Sequence, residues 1–152
     1  MGKPKPKSGT FVRIRLADGS FAYGRLLEAP FAAFYRHRTL TPDDGLDEIA
    51  SRPILLKMAV RHLAVAAWDV IGWRALEPTL TQPFVQFVQD IGDFRRCTIF
   101  DTAGYERDVE PHECVGVERA AVWEQEAIED RLLDALLGRP NADEERLKVR
   151  LQ

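Results

Sequence analysis

Residues 11–25 constrain this chain most. Val12, Ile14 and Leu16 alternate with Arg13 and Arg15, and Asp18-Gly19 separates this run from a second one, Phe21 to Arg25. A period of two on either side of such a dipeptide specifies an antiparallel hairpin. Taken as a two-residue turn of the primed type, Asp18-Gly19 sets Leu16 opposite Phe21, Ile14 opposite Tyr23 and Val12 opposite Arg25. One face is then apolar, and the other carries Arg13, Arg15, Ala22 and Gly24.

The residues that follow add strands before helices. Pro30 to Arg36 reads as a third strand, with its proline at the start, where a missing N–H does least harm. A short helix follows, with Thr41 as its cap, Pro42 in the first position and Asp43, Asp44, Asp47 and Glu48 near its positive end. Arg52-Pro53 ends it. Ile54 to Leu76 is nearly continuously apolar, and its β-branched and aromatic residues favour strands at 54–60 and 66–73, joined around Arg61-His62. Shorter strands are expected at Pro83–Val88 and Cys97–Phe100, with a turn at Thr102-Ala103-Gly104. Trp123 to Leu137 has helical spacing and stops at Gly138 and Pro140, and Asn141 with Glu144 suits one further short helix. The fold class is α+β: a curved, mostly antiparallel sheet or small open barrel, with one short helix in a connection and a C-terminal helix. A length of 152 residues favours one domain, set at 10–138, with a disordered basic tail at 1–9 and a peripheral extension at 139–152.

Charge narrows the function. The net charge is −3, but residues 1–25 hold six basic groups against one acidic group, and residues 101–134 hold eleven acidic groups against three basic ones. An overall basic balance is absent, which argues against nucleic acid. An acidic face instead suits a basic protein partner, a nuclease for example, whose association it would speed. No apolar run reaches the roughly 18 residues of a membrane span, and no apolar stretch follows the basic N-terminus as an export signal would require. Gly2 lacks the Ser or Thr at position 6 that myristoylation needs, Pro6 standing there instead. Two cysteines, Cys97 and Cys114, fit free thiols in a reducing cytoplasm better than one disulfide.

Motifs for catalysis are absent. His37, His62 and His112 are far apart in the chain, and no glycine-rich phosphate loop occurs. His112-Glu113-Cys114 with Cys97 lacks the paired spacing of a zinc site, so neither metal nor cofactor is expected. Glu110, Glu113 and Glu118 would raise the Cys114 pKa, against a nucleophilic role. Arg13, Arg15, Arg36 and Arg38 with Phe34 and Tyr35 form the main alternative, a small β-rich module binding single-stranded nucleic acid or another ligand, and a hydrolase using His112 with Asp or Glu partners is a third class that no motif favours.

Three stretches resemble one bacterial family, the immunity protein 26 group of polymorphic toxin systems. Phe11 to Arg25 is similar to its opening hairpin with a Tyr/Phe-Gly-Arg signature, here Tyr23-Gly24-Arg25. Trp68-Asp69-Val70-Ile71-Gly72 resembles its Trp-x-x-Ile-Gly strand. Glu113 to Trp123, followed by Glu129-Asp130-Arg131-Leu132, resembles its closing stretch, with Val117 where the family favours Leu. The resemblance runs from about Thr10 to Gly138. It implies a cytoplasmic, non-catalytic protein that binds and neutralises a cognate toxin. Trp123 is then expected as a core anchor, and Glu118 with Arg119 as a fastening of the strand-to-helix junction. The expected partner contacts are Asp43, Asp44, Asp47 and Glu48 in the helical connection, Glu106, Asp108 and Glu110 in the late loop, and Tyr35 and Trp73 where exposed.

Overall fold

The computed structural model describes residues 6–152. The strands are β1 (Thr10–Arg15), β2 (Phe21–Leu26), β3 (Phe31–Thr39), β4 (Ile54–Val60), β5 (Asp69–Trp73), β6 (Val85–Gln89), β7 (Cys97–Asp101), β8 (Glu106–Val109), β9 (Glu118–Arg119) and β10 (Val122–Trp123). The helices are α1 (Leu46–Ala50), α2 (His62–Ala66), α3 (Gln125–Leu136) and α4 (Ala142–Leu147). This is an α+β fold whose strands divide between two sheets, with no closed barrel among the described residues. The described residues fall into two compact units, residues 6–81 with 122–141, and residues 82–121 with 142–152.

The first unit is built on a six-stranded sheet in the order β10-β4-β3-β2-β1-β5. Every pairing in it is antiparallel except β10 with β4. The hairpin forms as expected, but its register is shifted by one residue. Ile14 lies opposite Ala22, Val12 opposite Gly24 and Phe11 opposite Arg25. The cause is the turn: Leu16 N–H bonds the Ser20 carbonyl, Gly19 N–H bonds the Leu16 carbonyl, and Gly19 has φ +83°. Ala17-Asp18-Gly19 is therefore a three-residue loop closed by a left-handed glycine. Because one step of register exchanges the facing of every pair, Phe21, Tyr23 and Arg25 join Phe11 on one face, and Ala22 and Gly24 join Val12 and Ile14 on the other. Phe11, Tyr23, Tyr35 and Ile49 form a core on the first face, so α1 covers it. On the other face Phe34 packs edge-on to Trp68, whose Nε1 donates to Glu129 of α3.

α1 begins later than Thr41 and Pro42 suggest. Tyr23 Oη accepts the Asp43 N–H, and the Asp43 carboxylate accepts the Gly45 N–H, so both groups are satisfied outside a helix and Gly45 becomes the N-cap. The 54–60 strand is as expected. The second, expected at 66–73, is shortened to β5, and the turn of α2 fills the connection. Of the expected tail, residues 1–5 lie outside the described residues; Gly9 N–H bonds the Leu26 carbonyl, and Trp73 Nε1 bonds the Ser8 carbonyl.

The second unit holds a four-stranded sheet, order β8-β7-β6-β9. Phe87, Cys97, Val109 and Cys114 form its core, with Val149 packed against them. The expected turn at residues 102–104 is present, Gly104 having φ +94°.

Candidate functional site

The Tyr-Gly-Arg signature is consumed by the fold. Arg25 is fully buried, and its guanidinium donates from Nε to the Gly9 carbonyl (2.7 Å), from Nη1 to Tyr35 Oη (3.2 Å) and Glu77 Oε2 (2.9 Å), and from Nη2 to the Arg74 (2.7 Å) and Ala75 (3.0 Å) carbonyls. It also lies 4.0 Å from the centre of the Phe11 ring. All five guanidinium donors are satisfied, and they fasten β2 to the chain at Gly9 and to the segment after β5. Tyr23 Oη lies 2.6 Å from Thr39 Oγ1. Gly24 sits in close approach: a Cβ there would stand 3.0 Å from the Phe34 ring.

The Trp-x-x-Ile-Gly strand is equally structural. Trp68 anchors α3, Ile71 packs against the α1-side core, and Gly72 leaves room for Leu46 of α1. In the closing stretch, Trp123 is the expected core anchor, buried beneath the Arg131 guanidinium 4.5 Å from its ring. Glu110 and Glu113 cap the 3₁₀ turn Pro111–Cys114 reciprocally, and the Glu110 N–H holds the Glu113 carboxyl below its ordinary pKa. Arg119 corrects an expectation. It stacks 4.7 Å over Phe87 and bonds the carbonyls of Leu147 and Lys148, so it fastens the C-terminal end of α4 rather than a strand-to-helix junction.

The immunity protein 26 family matches residues 7–98, more than half of the 152 residues. The chain belongs to the immunity protein 26 family. No curated protein and no solved structure matches it. The match covers the hairpin and the Trp68–Gly72 strand and stops short of the closing stretch.

With Tyr23, Gly24, Arg25, Trp68 and Trp123 committed to the fold of this immunity protein 26 member, the acids expected at its surface are considered by unit. In the first unit, α1 lies beside the end of β5. Asp47, whose side chain is 96% exposed, pairs with Arg74 at 2.6 Å, and Glu48 pairs with Arg52 at 2.9 Å. Asp44 is exposed. Asp43 turns inward, its carboxyl held below the ordinary range by the Gly45 N–H and then by His37 Nε2 at 3.2 Å. Two arginines thus offset two of the four acidic charges. Trp73 is half-exposed, with Lys7 Nζ 4.4 Å from its ring centre. Tyr35 is a correction: it is 2% exposed, because the β-bulge between Phe34 and Tyr35 and the pull of Arg25 turn it into the α1-side core. Burial raises its pKa.

Glu106, Asp108 and Glu110 are exposed in the second unit. The structure therefore brings Asp43, Asp44, Asp47, Glu48 and Trp73 together in one unit and places the other three in the other. Asp108 and Glu110 line a cleft of about 580 Å³ with Val88, Arg95 and Arg96, which the sequence did not reveal because β6, β7 and β8 meet only through tertiary pairing.

The nucleic-acid alternative loses its platform. Phe34 and Tyr35 are buried, Arg38 pairs with Asp18, and Arg13 pairs with Asp69. Base stacking needs exposed rings. Cys97 and Cys114 are free thiols side by side in the second unit's core, and burial, then Cys97, push Cys114 up to about 11. Among the described residues no helix is long and apolar enough to cross a membrane.

Proposed function

We propose that this protein is a cytoplasmic, non-catalytic inhibitor that binds a cognate bacterial toxin one to one and neutralises it. The observation that carries this reading is family membership joined to the fate of the signature residues. Arg25, Tyr23, Gly24 and Trp68 all serve the fold, so the partner is met by the exposed acids Asp44, Asp47 and Glu48, with Asp43 behind them and Trp73 as the aromatic contact. In the second unit the contacts are Glu106, Asp108 and Glu110. A surface of this sign selects a basic toxin, such as a nuclease, and accelerates its encounter. Blocking its active site or a neighbouring surface requires about 800 Å² per partner.

The test is association kinetics against a toxin that the protein neutralises in co-expression. Asp44→Lys, Asp47→Lys and Glu48→Lys together should slow association by about tenfold or more and flatten its salt dependence. Unchanged association at every salt concentration would remove the acidic docking face.

A further inference from the structure

β8 ends the four-stranded sheet, pairing with β7 on one side only. Which of its backbone groups face outward follows from the turn that leads into it. Asp101 N–H bonds the Tyr105 carbonyl at 3.0 Å, which makes Asp101 and Tyr105 a hydrogen-bonded pair. Pairs of that kind alternate along an antiparallel ladder. Ile99 with Arg107 and Cys97 with Val109 are then the next bonded pairs, and the N–H and C=O groups of Glu106 and Asp108 point away from β7. Both residues are exposed. Their side chains share the sheet face that carries Thr98, whose hydroxyl donates to Asp108 Oδ1.

We propose that this edge accepts an extended basic segment of the toxin as a fifth strand, a proposal that rests on the function given above. The outward amides and carbonyls of Glu106 and Asp108 supply the ladder, which any sequence can use. The acids supply the choice: residues directly opposite Glu106 and Asp108 on an added strand fall on the same face, so a segment with Lys or Arg at two positions, two residues apart, pairs with both. The same charges close the edge to a second copy of this chain, because two acidic strands placed side by side repel. Val109 is buried and Glu110 N–H is taken by Glu113, which ends the available ladder.

Amide hydrogen exchange on the free protein and on its complex with a neutralised toxin domain tests this. The Glu106 and Asp108 amides should slow by about tenfold or more on binding, since each gains a ladder hydrogen bond. Arg107 and Val109, already bonded to β7, serve as the internal reference. Glu106→Lys with Asp108→Lys should weaken the complex by about tenfold or more; if that variant does not fold, exchange in the unmodified protein still decides. A complex in which both amides exchange as fast as in the free protein overturns strand addition alone. Protection that grows with concentration of the free protein would identify a second copy on the edge and overturn it as well. Failure of every toxin tested to bind overturns the functional reading together with this proposal.

Discussion

Replacing Arg25 by methionine keeps the apolar stem of the side chain and removes every hydrogen bond it makes. Glu77 is 37% exposed and can turn to water, so its loss costs little. The Gly9 carbonyl, whose bond to Arg25 is wholly buried, keeps only the Arg74 N–H at 3.2 Å. The Arg74 and Ala75 carbonyls and Tyr35 Oη also lose a donor. Depriving these three oxygens of a donor, at about 1–3 kcal/mol for each buried group left unsatisfied, and losing the cation over Phe11, should cost about 3–5 kcal/mol in all. At roughly 2–4 °C per kcal/mol for a chain of this size, the melting point should fall by roughly 6–20 °C. Arg25→Lys restores the charge but supplies only three donors and no planar fork, so it should recover less than half of the loss. All three tryptophans, Trp68, Trp73 and Trp123, lie in the first unit, so urea denaturation followed by tryptophan fluorescence reads the unit that Arg25 holds. A loss below about 1 kcal/mol for Arg25→Met, the range of an ordinary surface replacement, would refute the reasoning that this signature residue is a structural node.

Both cysteines lie in the second unit, and with Cys114 near 11 a thiol reagent at neutral pH should label them only as that unit unfolds; labelling of native protein within seconds would contradict the buried pair. Gly24→Ala, which would set a methyl 3.0 Å from Phe34 and 3.2 Å from Val12, should cost about 1–3 kcal/mol by overpacking in the same fluorescence assay. The depressed carboxyl of Asp43 contributes stability that is complete above its ordinary value of 3.8 and is lost as pH falls through the lower folded value. Asp43→Asn should therefore flatten the acid limb of a stability-against-pH curve and leave its neutral part's shape unchanged.

What the sequence revealed was what local pattern controls. The hairpin, the 54–60 strand, the 102–104 turn and the long C-terminal helix all follow from periodicity and punctuation over a few residues. The register did not, because Asp-Gly serves a two-residue turn and the last two places of a three-residue loop equally well, and only the Leu16 to Ser20 hydrogen bond separates them. The start of α1 was hidden for a different reason: Thr41-Pro42 is a sound local cap, overridden by Tyr23 reaching across to the Asp43 N–H. β9 and β10 are two residues each and have no period to read. Arg25 lay beyond any local rule, since an arginine in a strand reads as surface until carbonyls from residues 9, 74 and 75 converge on it. For the proposed partner contacts, the residue types named the charge of the face, and only tertiary packing separated the exposed Asp44, Asp47 and Glu48 from the buried Tyr35.

The central claim, one-to-one inhibition without catalysis, is tested most directly by titrating a fixed amount of a neutralised toxin with this protein and following the toxin's own activity. Tight stoichiometric binding predicts a linear fall that reaches zero at one equivalent and does not deepen with time. Substoichiometric amounts that silence the toxin progressively would instead reveal a catalytic activity and contradict the account.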